Sequence, residues 1–389
     1  MLSAEFFKPV SNPALDLVLS GTSDSMASAT SVYSLNNGFP EIENSKVAII
    51  GVPDYRGSVY NRDFKKGTEA IRDKFYRLKK HDSDSRIIDL GDLIPGNSPE
   101  DTHYALSEIT GTLLKKSIIP VILGGSQDLT VAQFNGYHIF EQLVNIVSID
   151  SRFDLGMPEE PSNSASWLGK IVMQQPNYLF NFSNIGYQTY FVGANAVDLM
   201  NKLYFDAYRV GQVRSDITEM EPVIRAADIL TFDLSAIRQS DAPGNTNPSP
   251  NGFTGEEACQ AMIYAGLNDR LTSLGIYEYD AIADNNYQTA HLIAQMIWYF
   301  IQGVNERKND FPSVHNASFI TYRVTSDLIG KDLVFLKHKT SGRWWMEMPV
   351  AGKSNRLNRY NFLPCSQRDY QQACNNEMPD RFWQALQKL

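Results

Sequence analysis

The chain has 389 residues, 43% hydrophobic and 20% charged, with a formal net charge of −9. That balance suits a large globular body and excludes general nucleic-acid binding, which needs a basic face. No apolar run is long enough to cross a bilayer. The start, Met1–Lys8, lacks the basic-then-apolar order of a signal peptide, and three scattered cysteines make neither a disulfide framework nor a zinc ribbon. A cytoplasmic protein without membrane insertion is expected.

In chain order, residues 1–45 are Ser/Asn/Pro-rich toward their end and read as an irregular arm. Apolar strand candidates then appear at Lys46–Val52, Arg86–Leu90, Ile118–Leu123, Val144–Asp150, Tyr190–Gly193, Tyr208–Gly211, Ile229–Leu234 and Leu274–Tyr279. Helices are expected over Gly67–Lys80, over Pro99–Lys116, from the capping box at Thr254–Glu257 to about Arg270, and over Tyr287–Val304. Continuous apolar strands alternating with helices indicate a parallel sheet covered on both faces. The expectation is a three-layer α/β/α domain over residues 46–310 with roughly eight strands.

Residues 311–389 differ: Ser318–Val324 and Leu333–Lys339 alternate as antiparallel strands do, and Trp344 and Trp345 follow. This extension carries 11 Lys/Arg against 6 Asp/Glu, a charge of +5, which leaves −14 on residues 1–310. A basic extension folds back on the acidic body, the preferred reading, or meets a neighbouring copy or partner. Its tryptophans must be covered either way, and a clamp on the body is preferred.

The most informative stretch is Val147–Gly156. In extended chain Asp150, Arg152 and Asp154 point to one side, just past the end of a buried strand, where α/β folds bind ligands.

Six motifs in one order carry a family resemblance: Ile50–Asp54 with Lys66–Arg72, Leu90–Asp92, Leu123–Thr130, Ile149–Asp154, Thr231–Ser235 and Ala242–Thr254. Together they resemble the ureohydrolase superfamily of arginases, agmatinases and formimidoylglutamases, most of all the last, over about residues 46–305. The resemblance implies an arginase-like fold, trimers or hexamers, and two Mn²⁺ ions that share a hydroxide for attack on an amidino or formimino carbon. It implies six ligands: a His after Gly-Gly, an Asp-x-His-x-Asp run and an Asp-x-Asp run.

Only half of these are present. Asp150, Asp154 and Asp233 occupy carboxylate positions, whereas Gln127 and Arg152 stand where histidines are expected and Ser235 where an aspartate is expected. Arg238 replaces a further acid, and Ser166–Gly169 resembles the segment that holds a proton-shuttling His but has no base. Glu278 matches the acid that grips a guanidinium. An arginine is always charged and cannot ligate a metal, so the second ion has no place.

For the first position two readings stay open. The preferred one is metal-free, with Arg152 pairing Asp150 and Asp233 and Arg238 supplying further positive charge. The alternative is one Mn or Mg ion held by Asp150, Asp154, Asp233 and the Gln127 amide oxygen. The functional expectation is a non-catalytic binding or scaffold component that holds a small ligand through Glu278, Arg152, Arg238 and Ser235. The alternative is a one-metal hydrolase of amidino or formimino C–N bonds. The histidines match no ligand position and read as ordinary core or surface residues.

Overall fold

Eight parallel strands form the centre of the sheet, and the chain fills it from both sides of its first member. A computed structural model describes residues 2–11, 24–59, 67–82, 86–157, 159–312, 318–326, 330–349 and 359–389. Expectations at 1, 12–23, Lys66 and His315 lie partly or wholly outside these residues. The first strands are β1 (Phe7–Lys8), β2 (Thr30–Val32), β3 (Val47–Val52), β4 (Ile87–Leu93) and β5 (Ile119–Gly124). Next come β6 (Val144–Ile149), β7 (Leu179–Tyr187), β8 (Asp206–Arg209), β9 (Ile229–Asp233) and β10 (Ser273–Tyr277). The spatial order is β4-β3-β5-β10-β9-β6-β7-β8, all parallel; β1 and β2 both pair with β4. The central strands β3, β5, β6, β9 and β10 are buried at every position, as strands covered on both faces must be.

The helices are α1 (Gly67–Tyr76), α2 (Pro99–Lys115), α3 (Leu129–Asn135), α4 (Trp167–Val172), α5 (Ala194–Lys202) and α6 (Val210–Ser215). They continue with α7 (Met220–Arg225), α8 (Gly255–Leu267) and α9 (Gln288–Asn305). One core packs α1, α6, α7, α8 and α9 on the sheet; two more pack α2, α3, α4 and α5 on the other side. This is the expected three-layer α/β/α architecture. The Thr254 capping box opens α8 as its sequence indicated, its hydroxyl accepting from Glu257 N and its N–H donating to the Glu257 carboxylate. Part of the polar motif pattern is structural. Arg72, buried on α1, bonds both oxygens of Asp89 on β4, and Tyr76 donates to the same carboxylate. That network fixes the first helix to the sheet.

Three expectations change. The strand expected at Tyr190–Gly193 is a loop with Tyr190 exposed, and the real strand is the earlier β7. The strand expected at Tyr208–Gly211 lies two residues earlier, because Val210 begins α6. The arm is not wholly irregular, since β1 and β2 extend the sheet beyond β4.

The extension forms a separate antiparallel sheet in the order β11 (Phe319–Ser326), β12 (Lys331–His338), β13 (Trp344–Glu347) and β14 (Phe362–Cys365). Helices α10 (Gln367–Cys374) and α11 (Asp380–Lys388) complete it. It folds back on the body. Arg343, Arg359, Arg381 and Lys388 reach Glu221, Asp228, Glu219 and Asp206. From the body, buried Arg225 donates to the carbonyls of Trp344 (2.9 Å) and Cys365 (3.0 Å) and stacks on Trp345. The charge asymmetry therefore closes within the chain.

Candidate metal centre

Gln127, Glu278, Asp233 and Asp150 stand just beyond the ends of β5, β10, β9 and β6, four neighbouring strands in the middle of the sheet. Parallel pairing sets Tyr277 beside Asp233 and Ile149 beside Phe232, so the acids leave the sheet at one level. The sheet also reverses its direction of growth here, since β6 skips two places that β9 and β10 later fill. Such a point opens a crevice at the carboxyl edge. Gly125 has a steric reason: a Cβ there would lie 1.8 Å from the Asp54 carbonyl oxygen.

Carboxylate oxygens of Asp150, Asp154 and Asp233 lie within 4.8 Å of one another. Among the described residues this is the one set of three or more acids, histidines or cysteines close enough to share an ion. Asp154 and Glu278 both adopt left-handed backbone, φ +50° and +65°. Non-glycine residues hold that conformation where their surroundings impose it. The Asp154 carboxylate is turned inward by two contacts: Leu168 N–H bonds its carbonyl, and the buried Trp167 indole N–H bonds its side chain at 3.1 Å.

The electrostatics of the cluster are those of too many acids. Burial pushes Asp150 well above the ordinary carboxylate range, and the neighbouring Asp154 charge and hydrogen bond push the same way. The hydrogen bond they share raises Asp150 and acts to lower Asp154. Asp154 is nevertheless raised to about 7, chiefly by burial, and Asp233 to about 8, by burial and then by Asp150. Glu278 also rises to about 8, by burial and then by the charge of Asp233. Attraction from Arg152 acts on all three aspartates but ranks last among the influences named for each.

Arg152 donates from its backbone N–H to Asp150 at 2.9 Å and from Nη1 to the Ser151 hydroxyl at 3.2 Å. Its guanidinium lies over the Phe191 ring, 4.1 Å from the centroid. The Ser151 hydroxyl meets that of Ser235 at 2.9 Å, and Ser235 donates on to Asp150 at 3.3 Å and from its N–H to Asp233 at 2.6 Å. Arg152, Ser151, Ser235 and Asp150 thus form one hydrogen-bonded chain.

Arg238 must be corrected. It lies outside the cluster, partly exposed, with its Nε donating to Asp241 at 2.7 Å. It cannot neutralise buried acids from there, and the metal-free expectation loses its second cation. Glu278 is placed at the site, but both oxygens already accept bonds, from Gln127 N–H at 2.9 Å and from the Thr246 hydroxyl at 2.6 Å. The Gln127 side-chain nitrogen faces the Thr231 hydroxyl at 3.4 Å.

Ser151, Trp167, Phe191 and Thr246 belong to the site but carried no signal of their own in the sequence. Trp167 could have been found, because a buried indole N–H needs an acceptor and Asp154 is the nearby acid. The pair His103–Asp128, 2.8 Å apart, stands beside the site, with Asp128 near enough for its charge to raise Glu278.

The donor set can now be tested against the metals of related folds. Three carboxylates raised by burial and then by one another's charge fit one hard divalent cation. Beside them stand the Arg152 guanidinium, which cannot ligate a metal, and the Ser235 hydroxyl, a neutral donor.

The model of the arginase family matches residues 45–302. The chain is 25% identical to the formimidoylglutamase of Staphylococcus haemolyticus over 260 residues, 64% of this chain and 82% of that protein. It is 27% identical to that of Corynebacterium efficiens over 249 residues, 59% of this chain and 75% of that protein. Among solved structures, Trypanosoma cruzi formiminoglutamase with Mn²⁺ has a TM-score of 0.64 at 21% identity, over 69% of this chain and 96% of that one. The agmatine ureohydrolase of Thermoplasma volcanium has a TM-score of 0.59 at 19% identity, over 70% and 94%. Sheet order, site position and sequence agree, and the chain belongs to the arginase family.

Proposed function

We propose that this protein is a formimidoylglutamase-like member of the family that binds one divalent cation, Mn²⁺ or Mg²⁺, and a small linear amidine or formimino ligand, without hydrolysing it. Asp150, Asp154 and Asp233 hold the ion; Arg152, Ser235 and Glu278 face the ligand. The supporting observation is that Arg152, a permanent cation that cannot ligate a metal, is hydrogen-bonded through Ser151 and Ser235 to Asp150. On this reading the hydroxide shared by two ions has no pair to bridge, and no histidine stands where the resemblance places the family's proton shuttle.

Elemental analysis after loading with Mn²⁺ tests the reading. The expected content is one ion per chain, none in Asp150→Ala, and two when Gln127→His, Arg152→His and Ser235→Asp are combined. Two ions in the unaltered protein would overturn it. So would turnover of formiminoglutamate, arginine or agmatine that Asp150→Ala abolishes.

A further inference from the structure

The C-terminal sheet ends on β11, which has eight residues, whereas the other outer strands, β1, β2, β8 and β14, have two, three, four and four. Its register with β12 is unbroken over eight pairs, and its sequence, Phe-Ile-Thr-Tyr-Arg-Val-Thr-Ser, holds no proline or lysine. Short length, bulges, prolines and lysines are how proteins keep sheet edges from pairing with other chains, and β11 uses none of them. The strand also lies beyond residues 45–302, so this edge belongs to the extension and not to the arginase-like body.

The pairing with β12 says which groups face outward. Lys339 N–H donates to the Ser318 carbonyl at 2.8 Å, so Ser318 and every second residue after it bond β12. Phe319, Thr321, Arg323 and Thr325 therefore turn their N–H and carbonyl groups to the outer edge, where no strand pairs among the described residues. Tyr322 and Val324 pack on the core of the extension, and Ile320, on the same face, is 43% exposed. Thr321 and Arg323 point to the opposite, exposed face.

We propose that β11 pairs antiparallel with β11 of a second copy about a twofold axis at Tyr322, joining two four-stranded sheets into one. In that register Phe319 stands opposite the partner's Thr325 and Thr321 opposite the partner's Arg323, each pair occurring twice. All the outward groups are then met, by about eight main-chain hydrogen bonds. On the other face Ile320 is covered by the partner's Val324, and Tyr322 meets the partner's Tyr322. A shift of two residues one way sets Arg323 against the partner's Arg323; the other way leaves Thr325 unpaired. The strand is thus complementary to itself in one register, in both side-chain size and charge, which selects a second copy over an unrelated extended peptide.

Light scattering and sedimentation velocity on the full chain, from about 1 to 100 µM, test this. The expected result is a concentration-dependent doubling of mass, whatever unit the body itself forms. Thr321→Pro removes an outward N–H without touching the β12 ladder and should abolish the doubling with the circular-dichroism spectrum unchanged. Thr321→Glu creates two reciprocal pairs with Arg323 and should tighten association roughly 2- to 30-fold; Thr321→Lys should weaken it by a similar factor. A mass that never changes over this range, or a doubling that all three substitutions leave unaltered, would overturn the proposal.

Discussion

Arg225→Met asks whether the extension is part of the folded core or a separable appendage. The arginine is 4% exposed, with a carbonyl of the extension on each of two nitrogens, the Trp345 ring 4.4 Å away and Glu221 at 3.0 Å. Methionine keeps much of the stem volume and removes the fork. Two charge-assisted bonds are each worth about 1.5–3 kcal/mol and the desolvated stack about 2 kcal/mol. Relief of the buried cation offsets part of that, so a net loss of about 3–5 kcal/mol is expected. Urea denaturation followed by tryptophan fluorescence reads it directly, since Trp344 and Trp345 sit at the contact. Arg225→Lys serves as the control: it keeps the charge but cannot serve two carbonyls, and it should lose most of the same stability. A loss below about 1 kcal/mol, or two separate transitions in the unaltered protein, would refute the idea of one cooperative core.

Other outcomes follow from the site. Asp154 and Asp233 have folded values near 7 and 8 against 3.8 for the free side chain. Raised carboxylates stabilise at low pH and lose that contribution as pH climbs through the folded value. Chelator-treated protein should therefore lose stability progressively between about pH 4 and 8, and a millimolar divalent cation should flatten the slope; a flat profile after chelation would count against the crowded-acid account. Trp167→Phe removes the indole donor from Asp154 and should cost about 1–2 kcal/mol by chemical denaturation and weaken cation binding; unchanged affinity would show that the bond is incidental. Gly125→Ala forces a Cβ into the Asp54 carbonyl at 1.8 Å, so soluble expression or melting temperature should fall sharply, by about 3 kcal/mol or more. An unaffected variant would mean that the close approach relaxes freely.

The sheet was legible where burial is simple. β3, β5, β6, β9 and β10 are covered on both faces; β3 and β5 read as unbroken apolar runs, and β6, β9 and β10 as mostly apolar ones. β7 was missed because its sequence, Leu-Phe-Asn-Phe-Ser-Asn-Ile-Gly-Tyr, places polar groups where a buried strand should be apolar. Those groups have partners far along the chain. Asn181 and Ser183 bond Asp206, and Asn184 bonds the Arg152 carbonyl. Composition cannot show that a buried asparagine is satisfied; only the neighbouring strand can. The aromatic pair Tyr190–Phe191 drew the strand assignment to a loop, where Phe191 instead carries the Arg152 guanidinium.

The same distinction governs the site. Motif order gave the positions of Asp150, Asp154, Asp233, Gln127 and Glu278, since each follows a strand end. It could not give their partners, and the partners decide the chemistry. Arg238 looked like a countercharge until its bond to Asp241 removed it from the cluster. Asp150, Asp233 and Glu278 are buried and Asp154 partly so, and Arg152, which bonds Ser151 and stacks on Phe191, attracts all three aspartates. Protonation can relieve part of the repulsion, and burial and the neighbouring Asp154 both move Asp150 in that direction. A divalent ion relieves more, because it replaces one shared proton with two charges at the centre of all three aspartates. The substitution of histidine by Arg152 therefore need not empty the site. On the proposed reading it leaves one ion, held by the acids that remain.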